Sequence, residues 1–231
     1  LAAELHAIPR DVEQRDRSDA AVAVGFALAV THPSAGNIGG GGFMLIRFKD
    51  GRTTFIDFRE RAPLAATRDM YLDKDGNPTK DSVQGWRAPG VPGTARGLEY
   101  AHRKYGKAKW ADAVAPSVKL AHEGFTISYG LAQGLKGSKT MAQFEESRRI
   151  FQNNGKFFEP GDKLIQPELA RVLERVQKLG ANDFYEGETA KLFAKQMAAN
   201  GGLITLEDLK AYQPAERTPL QSTFRDKYTI I

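Results

Sequence analysis

Residues 19–29 (DAAVAVGFALA) are apolar at nearly every position, which predicts a helix buried on most of its faces. Ser18 or Asp19 stands where an N-cap belongs. The run stops at His32-Pro33, because proline restricts the residue that precedes it. After PSAGNIGGGG come two strand-like segments, residues 43–48 and 53–58, joined by Lys49-Asp50-Gly51, a good hairpin turn. The pattern then becomes polar. Residues 59–87 are interrupted by Pro63, Gly76, Pro78 and Gly85 and read as a long surface excursion. A stiff turn, Pro89-Gly90-Val91-Pro92-Gly93, hands over to a helix predicted for residues 94–105. Another helix is expected over 110–122, with Pro116 either kinking it or marking its real start. Further helices are predicted at 167–179, 188–199 and 206–212, and residues 228–231 read as a strand beginning where the sequence stops. Proteins seldom end inside an apolar strand, so the chain is expected to be a fragment or one piece of a processed precursor.

Composition narrows the functional classes. A chain of 231 residues with 41% hydrophobic positions has the size and core content of one well-filled domain or two small ones, which excludes global disorder. The 33 Lys and Arg against 28 Asp and Glu give +5, spread along the chain. That tilt suits an acidic small molecule and falls short of a nucleic-acid signature. With no cysteine there are no disulfides, thiolate metal sites or Cys nucleophiles. The longest apolar run, residues 20–31, is shorter than the about 20 residues a bilayer span needs. The chain also lacks G-x-S-x-G, S-x-x-K, H-E-x-x-H and G-x-G-x-x-G, and the glycines at 39–42 are followed by Phe43 where a P-loop needs Lys. His6, His32, His102 and His122 are scattered, so no metal site is expected. The basic run at 103–110, with Tyr105 and Trp110 in it, reads as a solvated helix end.

Two features remain. Four consecutive glycines lose more conformational freedom on ordering than any other residues would, so they belong where backbone packs very closely or where a loop offers N–H groups to a ligand. The other feature is Asp57-Phe58-Arg59-Glu60 at the end of the second strand, where alternation sends Asp57 and Arg59 to one face and Phe58 to the other. An arginine just past a strand end can offer a planar fork to a carboxylate. Equally, Asp57 or Glu60 can simply neutralise it.

Several long segments taken together decide between these readings. The stretch DAAVAVGFALAVTHPSAGNIGGGGFMLIRFKDGRTTFIDFRERAP resembles the large-subunit core of gamma-glutamyltranspeptidases, as do PGVPGT at 89–94, NGGLIT at 200–205 and EDLKAY at 207–212. The resemblance covers roughly residues 18–231. It implies an α/β fold, the αββα four-layer sandwich of N-terminal-nucleophile hydrolases, made as a precursor that cuts itself into a large and a small subunit. On this reading residues 1–231 are a single large-subunit portion, incomplete beyond Ile231. The family's nucleophile is the N-terminal Thr of the small subunit, whose own amine is its base. It attacks the γ-glutamyl amide of glutathione or a similar compound, and the acyl group passes to water, an amino acid or a peptide. Backbone N–H groups hold the oxyanion. This chain opens with Leu1, so the resemblance places the catalytic residues outside it. Arg59 matches the arginine that pairs with the α-carboxylate of the γ-glutamyl group, with Asp57 and Glu60 as its positioning neighbours and residues 39–42 supporting the pocket wall. No cofactor, metal, nucleic acid or membrane span is implied, and the location expected is periplasmic or secreted.

The chain departs from the family pattern at two places. Asp16-Arg17-Ser18 stands where the family has a Gly-Gly-Asn lead, with residues 9–17 fitting poorly, and the family's large subunit continues past the position of Ile231. Related acylases acting on cephalosporin side chains or poly-γ-glutamate share the framework, as would a noncatalytic binding homologue. Retention of Arg59 favours a substrate with an α-amino-acid head group.

Overall fold

The computed structural model describes residues 17–231. The first helix, α1, runs Arg17–Thr31 and buries Val22, Phe26, Ala29 and Val30 along one stripe. It begins ahead of both predicted caps, so Asp19 lies inside the first turn. There its carboxylate accepts the backbone N–H groups of Lys107 and Ala108, at 2.8 and 3.0 Å. The expected misfit at residues 9–17 falls, except for Arg17, outside the described residues.

Two strands follow, β1 (Phe43–Arg47) and β2 (Thr53–Asp57), paired antiparallel with Phe43 opposite Asp57 and Arg47 opposite Thr53. Gly51 turns the hairpin with φ of 86°, which L side chains rarely adopt. The excursion after β2 contains no strand of the ladder; isolated bridges join Arg61 to Val91 and Leu72 to Pro78, and the Leu64 N–H donates to Asp208 Oδ1 at 2.6 Å.

Helices α2 (Thr94–Tyr105) and α3 (Trp110–Glu123) come next, and α3 runs unbroken through Pro116, which neither starts nor ends it. The stretch from 124 to 166, for which the pattern predicts nothing, holds short strands β3 (Phe125–Thr126) and β4 (Lys163–Leu164) and helices α4 (Tyr129–Gly137) and α5 (Glu145–Phe151). Helices α6 (Pro167–Leu179), α7 (Asn182–Glu186), α8 (Glu188–Ala199) and α9 (Leu206–Ala211) lead to β5 (Ala215–Arg217) and to a hairpin of β6 (Ser222–Phe224) and β7 (Tyr228–Ile230). The last helix ends one residue before the predicted Tyr212, which is extended at φ −69°, ψ 127°.

Strand β5 pairs with β2, making a three-stranded antiparallel sheet in the order β1-β2-β5. Period-2 alternation sends Met44, Ile46, Thr54 and Ile56 to one face. Helix α2 lies on that face, close enough that a Cβ on Gly97 would sit 2.2 Å from the Phe58 ring. Behind it, Phe26 of α1 meets the Trp110 edge at 5.5 Å, and the Trp110 indole donates to the Val176 carbonyl of α6 at 2.8 Å. The core is therefore a helical layer against one side of a sheet, a mixed α/β architecture. On the other side Phe43 and Leu45 are 54% and 47% exposed, and Phe43 stacks on Phe55 at 5.4 Å.

Candidate substrate-binding site

Arg59 lies two residues beyond the end of β2, and the backbone around it is fastened on every side. The ladder continues one pair further than the strands themselves, with Phe58 and Gly42 exchanging both backbone bonds at 3.0 and 3.3 Å. Arg61 and Val91 exchange another pair, at 3.2 and 2.7 Å. The N–H groups of Gly93 and Thr94 both reach the Gly40 carbonyl, at 2.8 and 3.0 Å. Three segments distant in sequence, residues 39–42, 58–61 and 91–94, thus form one knot.

The glycines are what allow it. A Cβ on Gly41 would stand 2.5 Å from the Phe58 carbonyl oxygen and 2.7 Å from the Glu60 nitrogen. On Gly93 it would stand 2.0 Å from that same oxygen and 2.1 Å from the Tyr212 hydroxyl. Of the two uses open to the glycine run, Gly41 serves close packing, against the 58–60 backbone.

Each group of Arg59 has its own partner. Its N–H donates to Asp57 Oδ1 at 3.1 Å, its carbonyl accepts the Tyr212 hydroxyl at 3.0 Å, and its guanidinium Nε lies 3.2 Å from Glu60 Oε2. Asp57 does not neutralise the guanidinium. Its other oxygen accepts Arg217 Nε at 2.8 Å, and that hydrogen bond holds the Asp57 carboxyl below the usual carboxylate range. Among the described residues the Arg59 guanidinium makes no hydrogen bond, and the side chain is 68% exposed beside the single Glu60 pair. A planar cation fixed at its base and open at its tip is suited to receive a carboxylate through two parallel bonds.

Asp57 and Glu60 both lie against Arg59, Asp57 on its backbone N–H and Glu60 on its guanidinium, so of the two carboxylates it is Glu60 that makes the ion pair. Sequence reasoning missed Tyr212, Arg217 and Arg61, whose guanidinium lies 5.5 Å from the Tyr212 ring centre. The signal for Tyr212 was its place at the end of EDLKAY; Arg217 carried none. Among the described residues no group of three His, Cys, Asp or Glu side chains converges as a metal cage.

The profile of the family described as Gamma-glutamyltranspeptidase matches residues 16–231. The glutathione hydrolase proenzyme of Escherichia coli K12 is 51% identical over 210 residues, covering 90% of this chain and 36% of its own length. The crystal structure of Helicobacter pylori gamma-glutamyltranspeptidase superposes with a TM-score of 0.90 at 45% identity, covering 93% of this chain and 62% of that one. The Pseudomonas nitroreducens enzyme complexed with L-DON gives 0.85 at 44% identity, covering 92% and 62%. The chain therefore spans little more than a third of the length of the curated relatives it matches. With the family profile matching nearly the whole chain, half of its residues identical to a curated relative and its fold superposing on solved members, the chain belongs to the gamma-glutamyltranspeptidase family.

Proposed function

We propose that the protein containing this chain is a γ-glutamyltransferase and glutathione hydrolase, and that residues 1–231 form a portion of its large subunit. The reading rests on family membership and on one observation in particular, the exposed Arg59 guanidinium on a backbone held by Asp57 and Tyr212. Arg59 binds the donor's α-carboxylate, and the reacting groups come from a small subunit cut from the same precursor. The hydroxyl of that subunit's N-terminal Thr adds to the γ-glutamyl carbonyl while its proton passes to the Thr amine. Collapse breaks the amide C–N bond and the departing amine takes that proton; water or an amino-acid amine then adds to the ester, the acyl–Oγ bond breaks, and the incoming group's proton returns to the Thr hydroxyl by way of the amine. These steps need no cofactor. A periplasmic or secreted location belongs to the same proposal and is tested by fractionation.

Intact mass and N-terminal sequencing of the full-length protein are expected to show a second chain beginning with Thr. In that matured protein, Arg59→Ala is expected to lower kcat/KM for γ-glutamyl-p-nitroanilide with the fold intact. Losing one partner of a buried, hydrogen-bonded charge pair, as the arginine and an enclosed donor carboxylate would form, costs about 2 to 5 kcal/mol. Kinetics equal to the parent's would remove Arg59 from substrate binding.

A further inference from the structure

We propose that Tyr212 is a positioning residue for Arg59, its hydroxyl holding the arginine's backbone at the place from which the guanidinium reaches the donor carboxylate; this rests on the role proposed for Arg59. The hydroxyl donates to the Arg59 carbonyl at 3.0 Å across 153 positions of sequence, and the residue is 2% exposed. Burial pushes the Tyr212 phenol up to about 12, so it remains a donor throughout the range in which an enzyme works. The ring is immobilised as firmly as the hydroxyl. It stacks on Tyr185 at 5.7 Å and 15°, and the Tyr185 hydroxyl in turn donates to the Pro92 carbonyl at 3.0 Å and accepts the Arg96 N–H at 3.2 Å.

The stacked pair therefore grips two of the three backbone segments of the knot, one at residue 59 and the other at residue 92. Gly93 passes so close beneath the Tyr212 hydroxyl that no side chain fits there. The arginine side chain is exposed, so its reach depends on where its Cα is held. Asp57 fixes the N–H side of Arg59 and Tyr212 fixes the carbonyl side.

The test uses the full-length matured protein with Tyr212→Phe, which keeps the stack and removes only the hydroxyl. Two donors are compared: γ-glutamyl-p-nitroanilide, and 4-aminobutyryl-p-nitroanilide, the same molecule without its α-carboxylate. We expect KM for the first to rise about fivefold to tenfold, the worth of one neutral hydrogen bond, with kcat within about twofold. The carboxylate-free donor should show no change relative to the parent. Replacing Tyr212 by 4-aminophenylalanine, which keeps a donor in the same place, should restore KM, and adding Tyr212→Phe to Arg59→Met should change nothing further. An unchanged KM overturns the proposal, as do equal losses on both donors or a Tyr212→Phe protein that fails to fold or mature, since the hydroxyl then supports the fold at large. If Arg59→Met alone leaves the γ-glutamyl donor unaffected, it is the role of Arg59 that fails.

Discussion

At the scale of single residues, the site depends as much on missing atoms as on present ones. Gly93 is in a region of φ and ψ open to any residue, at −117° and −19°, so its identity is set by the Phe58 carbonyl and the Tyr212 hydroxyl that press on it. Gly93→Ala is expected to destabilise the protein by about 2 to 3 kcal/mol, because overpacked backbone has to move, and to raise KM through Arg59. Gly130, in the first turn of α4 where an added Cβ would meet nothing within 4 Å, supplies the opposite case. Gly130→Ala should stabilise by about 0.5 to 1 kcal/mol. Thermal melts of the two variants decide the point, and equal behaviour would mean the crowding at Gly93 is relieved without cost. Arg59 was legible in the sequence because its chemistry, its place after a strand and its family motif all coincide. The Tyr212 contact was not, because the EDLKAY motif marks the residue while a hydroxyl's partner 153 residues away leaves no local pattern.

Among the elements, those that were legible carry a strong period or a clear boundary. Helices α2, α6 and α8 match their expected spans to the residue, helped by Pro167 at the start of α6 and the glycine after Leu179. Helix α4 was hidden by Gly130, Gly134 and Gly137, and α5 is too short, with none of its residues fully buried, to show periodicity. Strand β5 was invisible for another reason. Its three residues show no alternation of their own, and it is held by Glu216, whose carboxylate receives Tyr100 at 2.8 Å, Thr54 at 2.5 Å, Tyr105 and the Lys104 ammonium. These donors, Lys104 foremost, hold the Glu216 carboxyl down at about 2. The unfolded chain, with an ordinary value of roughly 4.3, takes up the proton first as acid is added. The stabilisation is therefore complete above that value and disappears as pH falls toward 2. Solvent reaches the strand and screens the charges, so the effect is at most about 1 kcal/mol. Glu216→Gln should lower the melting temperature slightly at pH 7 and flatten its decline between pH 4.5 and 2. Parallel profiles for parent and variant would show that β5 is held by its backbone pairing alone.

For the molecule as a whole, the sheet has one finished face. Helix α2, backed by α1, α3 and α6, covers Met44, Ile46, Thr54 and Ile56, while Phe43 and Leu45 stand half exposed on the opposite side with Phe55 stacked between the strands. In the proposed αββα arrangement a second sheet packs about 10 Å away against that side. The relatives' greater length leaves room for it, since this chain spans little more than a third of them. Each large aliphatic side chain fully buried there contributes about 1.5 to 3 kcal/mol, and a carboxylate in its place would be unpaired as well as misfitted. Leu45→Asp in the full-length protein is accordingly expected to cut the yield of matured two-chain protein and lower its melting temperature by several degrees. Lys74→Asp, in the exposed turn of the polar excursion, serves as the control for charge alone and should do neither. If the two variants mature and melt alike, the Phe43 face is a solvent face in the whole protein too, and the four-layer assembly has to be given up even though the family assignment stands.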